Sequence, residues 1–174
     1  MKPVCLVLGA GAGIGGTVAA KFAAEGYHAC LCRRSDQAGL DQMVKNIEEE
    51  GGTASGYLIN AIEENVLEEL IISIEKDHGL IEVLVYNLGA QSGMKLLQET
   101  SIKEFEWAWR IADLGLFRVA KTVMPLMEQR GSGTLLVTSA TAAMRGNKNQ
   151  HSPRAREPAD IKRRDDPQLR GDLV

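Results

Sequence analysis

Between positions 7 and 16 the chain reads VLGAGAGIGG, with glycine at 9, 11, 13, 15 and 16. Glycines this dense let backbone N–H groups approach an anion closely. Two registers fit, Gly11-x-Gly13-x-x-Gly16 and Gly9-x-x-x-Gly13-x-Gly15. Either supplies a tight turn, close backbone approach and a helix N-terminus aimed at a pyrophosphate. The alternative is a strand-to-helix turn that holds no ligand. About 20 residues further on, where a carboxylate would take a ribose diol, the chain carries Arg33 and Arg34. A guanidinium pairs with a 2′-phosphate and stacks on adenine. That favours NADP, unless the two arginines merely coat the surface. Asp36, close by, leaves NAD open.

Other reactive groups carry weaker patterns. Cys5, Cys30 and Cys32 precede residue 33 and read as small core residues rather than a metal or redox site. Their odd number suits a reducing, cytoplasmic compartment rather than a secreted disulfide scaffold. Trp107 and Trp109 stand two apart, so at most one faces a core. Lys162-Arg163-Arg164 is followed at once by Asp165-Asp166, a solvated mixture rather than a nucleic-acid patch.

The elements that must position the loop follow from periodicity. Pro3–Leu8 is a continuous apolar run ending at glycine, the pattern of a buried parallel strand. A helix is expected from Ile14 to Glu25 and a second strand over His28–Cys32. A helix capped by Asp36, with Leu40, Met43, Val44 and Ile47 inward, runs to Gly51-Gly52. Ala54–Ile59 is a third strand. Glu63 and Glu64 suit the N-terminus of a helix that ends near His78, ahead of a strand over Val83–Tyr86. Ser101-x-x-Glu104 matches a capping box opening one long helix. Its expected inner stripe is Phe105, Trp109, Ala112, Leu116, Val119, Val123 and Met127, with Pro125 bending the last turns, and Thr134–Ser139 is a fifth strand. Strands alternating with helices imply a doubly wound α/β fold, Rossmann-like, with five parallel strands and an incomplete C-terminal half.

The 174 residues are 44% hydrophobic and 25% charged with a net charge of −3, which suits a globular domain and not a nucleic-acid binder. No apolar run reaches the roughly 20 residues of a membrane helix. The average conceals a break. Residues 147–174 hold 12 charged and six hydrophobic residues and three of the five prolines. The expectation is a dinucleotide-binding domain over residues 1–146 and a charged, disordered tail over 147–174.

The residues also resemble the short-chain dehydrogenase/reductase family. Gly9-x-x-x-Gly13-Ile14-Gly15 resembles that family's TGxxxGIG loop, with Leu8 in place of threonine and Ala12 where a hydroxyl is common. Tyr86-Asn87-Leu88-Gly89 is similar to its NNAG segment, with Asn87 and Gly89 matching. The run from Trp109 to Met127, and Gly133 to Ser139, resemble the long helix and the strand that presents a catalytic serine. The resemblance implies hydride transfer between a nicotinamide and a carbonyl or alcohol. It assigns the loop residues Gly9, Gly11, Ala12, Gly13, Ile14 and Gly15, with Arg33, Arg34, Asn60, Asn87 and Gly89, to the cofactor. It assigns Ser139 to the substrate oxygen. Asp113 stands where the family's long helix supplies an asparagine, and Asn60 where an aspartate is frequent.

One departure is decisive for chemistry. The family uses Tyr-x-x-x-Lys after the serine, whereas the tyrosines here are Tyr27, Tyr57 and Tyr86. Lys148 and Lys162 are preceded four residues earlier by Met144 and Pro158, and His151 beside Pro153 is a poor substitute. The expectation is therefore an NADP(H)-binding relative, weak or inactive as an oxidoreductase, with its ordinary C-terminal continuation replaced. The alternative is a non-enzymatic partner of a full-length relative, or of a second copy.

Overall fold

The computed structural model describes residues 2–89 and 96–139. These fall into two units. The first comprises the residues up to Leu88 together with Gly115–Thr138. The second, among the described residues, comprises 89, 96–114 and 139. The expected tail over 147–174 lies outside the described residues, as does His151.

The first unit is a five-stranded parallel sheet in the order β3-β2-β1-β4-β5. Its strands are β1 (Val4–Leu8), β2 (His28–Arg33), β3 (Thr53–Leu58), β4 (Ile81–Tyr86) and β5 (Thr134–Val137). All five residues of β1 are buried, because a central parallel strand is covered on both faces. Helices α1 (Ile14–Ala24) and α2 (Gln37–Glu49) cover one face. There Cys5, Val7, Ala19, Leu31, Leu40 and Ile47 form one apolar cluster. On the other face α3 (Val66–Asp77) joins the last helix of the unit, and Leu6, Leu8, Leu67, Ile71, Val119 and Val123 form a second cluster.

Chain order reverses between β1 and β4, so the connections leaving their carboxyl ends diverge and open a crevice. The glycine loop leaves β1 at this point, and Asn87 follows β4. Among the described residues β5 pairs only with β4 and forms an edge of the sheet.

The second unit contains a 3-10 turn (Leu97–Glu99), helix α4 (Ile102–Trp109) and a π-helical turn (Arg110–Leu114). The Ser101 capping box forms on both sides: Glu104 donates its N–H to Ser101 Oγ at 3.2 Å, and Glu104 Oε2 accepts from the Ser101 N–H at 2.9 Å. The π turn leads directly into α5 (Gly115–Arg130) of the first unit, which contains Pro125.

Three expectations need correction. The long helix is interrupted by the π turn, and its buried positions are Ala108, Ala112, Gly115, Val119, Val123 and Met127. Trp109 is 42% exposed. Ala112, Val119, Val123 and Met127 are buried as expected, whereas Phe105, Trp109 and Leu116 are not; Ala108 and Gly115 are buried instead, and such small residues carry almost no hydrophobic signal. Helix α3 starts at Val66 rather than at Glu63, because a local turn holds the preceding residues: Glu63 donates its N–H to Asn60 O, and Asn60 Nδ2 donates to Glu63 Oε1. Finally, β5 ends at Val137, two residues before Ser139.

Candidate functional site

Packing accounts for three of the five loop glycines. Gly9 has φ +96°, and a Cβ there would lie 2.7 Å from the Asn87 carbonyl oxygen. A Cβ on Gly15 would collide with the Gly9 carbonyl oxygen. Both positions must be glycine for β1, the loop and α1 to pack, and so must Gly16, where a Cβ would lie 2.6 Å from the Gly11 carbonyl oxygen, so each register contains a glycine that packing requires. Gly13 is the N-cap of α1.

Gly11 and Gly13 differ in kind. A Cβ on either would meet nothing within 4 Å, and neither has positive φ. Packing therefore does not explain these two glycines, whereas a ligand pressed against the backbone would. The loop's hydrogen bonds agree. Gly9 and Ala10 both donate to the Cys32 carbonyl, at 2.9 and 2.8 Å, and Gly11 donates to Gly9 O. The first bond of α1 runs from the Thr17 N–H to Gly13 O. Among the described residues, no acceptor takes the N–H groups of Ala12, Gly13, Ile14 and Gly15. These donors, on exposed Ala12, Gly13 and Ile14 and on buried Gly15, sit at the positive end of the helix dipole, an arrangement that fits a pyrophosphate.

Asn87 anchors the loop from the neighbouring strand. Its N–H donates to Leu8 O and its Nδ2 to Gly9 O, both at 2.8 Å. The side chain thus positions the loop, a role that residue type alone did not reveal. Arg33 ends β2, half-buried, with Nη2 3.0 Å from Asp36 Oδ2. Asp36 also caps α2 by accepting the Gly39 N–H at 3.0 Å. The acid that left NAD open is therefore held by Arg33 and by the helix, while Arg34 is exposed. Asn60 is half-buried and engaged with Glu63.

The remaining expected residues belong to the second unit. Gly89 is exposed, and a Cβ there would meet nothing within 4 Å. Asp113 is half-buried within the π-helical turn. Ser139 is exposed and follows Thr138, whose N–H donates to Tyr86 O at 3.0 Å as the last rung beyond β5. No described helix is long and apolar enough to cross a membrane.

A further group was missed by the sequence reading. His28, Cys30 and His78 converge in the first unit, and their side-chain donor atoms all lie within 4.8 Å of one another. Alternation on β2 puts His28 and Cys30 on one face, which was readable, but nothing local points to His78 at the end of α3.

A family model of the short chain dehydrogenases matches residues 3–152. The 3-oxoacyl-acyl-carrier-protein reductase of Thermotoga maritima is 29% identical over 149 residues, covering 84% of this chain and 59% of that protein. The 2,3-dihydro-2,3-dihydroxybenzoate dehydrogenase of Bacillus subtilis is 26% identical over 140 residues, covering 80% of this chain and 53% of that one. Among solved structures, an actinorhodin polyketide ketoreductase variant crystallised with NADPH superposes with a TM-score of 0.79 at 27% identity. That match covers 88% of this chain and 58% of the ketoreductase. The chain thus spans a little over half the length of the relatives it matches.

Proposed function

The chain belongs to the short-chain dehydrogenase family, and from that premise we propose that it binds a nicotinamide dinucleotide at the carboxyl ends of β1 and β4, preferring NADP(H). The observation that carries the reading is the pair Gly11 and Gly13, which no protein atom requires to be glycine, beside four first-turn N–H groups without a described acceptor. In this reading Ala12, Gly13, Ile14 and Gly15 donate to the pyrophosphate. Arg33 and Arg34 take the 2′-phosphate and cover the adenine, Asn60 lies beside the adenine, and Asn87 holds the loop, while Gly89 is assigned to the cofactor by the family resemblance alone. Asp36 holds the Arg33 guanidinium in place while capping α2.

When bound, the nicotinamide supplies a hydride donor or acceptor. The chain's own contribution to such chemistry is the Ser139 hydroxyl, which donates to a substrate carbonyl oxygen, with Asp113 as a further polar group on the long helical segment. A proton donor is the weak point, because no tyrosine follows Tyr86 within these 174 residues. General acid–base catalysis by a placed side chain contributes about 10²–10⁴-fold, so turnover by this polypeptide is weak or nil. Three free, buried cysteines suit the reducing cytoplasm.

Titration with NADPH and NADH, followed by nicotinamide fluorescence, tests the binding. We expect saturation by NADPH at lower concentration than by NADH, and saturation by neither would overturn the reading. A panel of ketones and aldehydes with NADPH tests the chemistry, where robust turnover would refute the inactive assignment.

The exposed edge supports a second reading, association with a full-length relative or another copy. Leu136 and Val137 on β5 are each 43% exposed, and an unpaired strand edge is a template for another chain. Strictly monomeric behaviour, alone and mixed with a full-length relative, would remove it.

A further inference from the structure

At the amino end of β2, away from the glycine loop, two imidazoles and a thiol meet on one face of the sheet. His28 is the first residue of β2, Cys30 lies two residues on, and His78 caps the C-terminus of α3. The rings of His28 and His78 stack with centroids 4.4 Å apart and planes 14° from parallel. The donor atoms of all three residues lie within 4.8 Å of one another. A tetrahedral zinc site with these ligand types separates its donor atoms by about 3.3–3.5 Å. Closure by up to about 1.4 Å, with the stacked rings turning so that one nitrogen of each converges on the ion, would complete three sides of such a site.

The surroundings supply what a metal site needs beyond its ligands. His78 Nε2 is hydrogen bonded to the Tyr57 hydroxyl at 2.7 Å, and His28 Nε2 to Ser55 Oγ at 3.0 Å. Each ring therefore has one nitrogen oriented by a hydroxyl, the kind of outer partner that fixes a ligand imidazole. Cys30 is wholly buried while both histidines are half-buried, which leaves a short path from solvent to the thiol. Two nitrogens and a soft sulfur suit a borderline divalent ion and not calcium or magnesium.

The geometry points to a zinc-type transition-metal site formed by His28, Cys30 and His78, with water completing the coordination. On binding, the Cys30 S–H bond gives way to a sulfur–metal bond and the proton leaves to solvent. No oxidation state changes. The ion would tie the start of β2 to the end of α3, 50 residues apart in sequence, and so act as a structural staple. It is independent of the dinucleotide reading.

The test uses the full chain, stripped with a chelator and titrated with Co²⁺ as a spectroscopic probe. The expected result is saturation at one equivalent with a sulfur-to-cobalt charge-transfer band, bleached when Zn²⁺ displaces the probe. Cys30→Ala should lose the band, whereas Cys5→Ala and Cys32→Ala keep it. His28→Gln and His78→Gln should each weaken binding at least about tenfold, and His151→Gln should leave it unchanged. Far-UV circular dichroism checks each fold; if Cys30→Ala does not fold, the three histidine variants decide. Absence of a band at saturating Co²⁺, a band that survives in folded Cys30→Ala, or binding that follows His151 would overturn the site.

Discussion

The glycines of the phosphate loop divide by what surrounds them, and the division makes opposite predictions for neighbouring residues. Gly9→Ala must place a Cβ against the Asn87 carbonyl in a left-handed conformation. We expect it to cost about 2 kcal/mol or more, read from the urea midpoint. Gly11→Ala meets open space, so its urea midpoint should stay within about 0.5 kcal/mol of the parent. Its NADPH affinity should nevertheless fall at least about tenfold, because the added methyl would hold the pyrophosphate off the neighbouring N–H groups, and one well-placed charge-assisted hydrogen bond is worth about 1.5–3 kcal/mol. Equal stability losses in the two variants would show that packing alone explains both glycines. Arg33 gives the companion prediction. Arg33→Ala should weaken NADPH by about tenfold and NADH far less, because only NADPH carries the 2′-phosphate. Equal losses for both would assign the arginine to α2 and Asp36 instead of to a cofactor.

At the level of elements, α3 and α5 are joined by a bidentate ion pair that hydrophobic patterning does not announce. Arg118 donates Nε–H to Glu68 Oε1 at 2.8 Å and Nη2–H to Oε2 at 2.7 Å. The hydrogen bonds from Arg118 hold the Glu68 carboxyl below its ordinary value. The folded state therefore binds the Glu68 proton less readily than the unfolded chain does. The pair's contribution is present in full above the unfolded carboxylate pKa of about 4.3 and is lost as pH falls through the lower folded value. Glu68→Gln should accordingly lower thermal stability at pH 7, with its difference from the parent shrinking toward zero in strong acid. A difference constant from pH 7 to 2 would show that packing and not charge is responsible. A second ion pair, Arg130 to Glu75 at 2.7 Å, ties the ends of the same two helices, and Arg130 Nη2 also donates to Ile81 O.

For the whole molecule the edge of the sheet matters most. β5 is short, its residues are mostly exposed, and among the described residues no strand covers its outer side. Leu136→Lys places a charge on that edge and should reduce concentration-dependent self-association in sedimentation velocity. Association unchanged by the substitution would move the contact elsewhere, for instance to Phe117 and Met124, which are 63% and 55% exposed on α5. Much of this architecture was legible beforehand. Buried parallel strands read as unbroken apolar runs, and the Asp36 and Ser101 caps read directly from side-chain chemistry. The inward face of the long helix was legible only in part, because its inward residues Ala108 and Gly115 are too small to advertise themselves, while Ala112, Val119, Val123 and Met127 are buried as expected. The π-helical turn at Arg110–Leu114 left no local signal at all.

Residue order alone establishes that a glycine-rich turn joins the first strand to the first helix, and that Arg33 and Arg34 stand at the end of the second strand. It also establishes that no tyrosine stands beyond Tyr86. These are facts of residue type and order, fixed by short-range chemistry. Only tertiary structure decided which glycines packing requires, because that depends on Asn87, 78 residues away, closing over Gly9. The Arg33–Asp36 pairing, by contrast, is a local contact three residues apart, at an Asp36 whose backbone is left-handed. Dependence on tertiary structure is greatest for His28, Cys30 and His78, which meet only because β2 and α3 pack on the same face of one sheet.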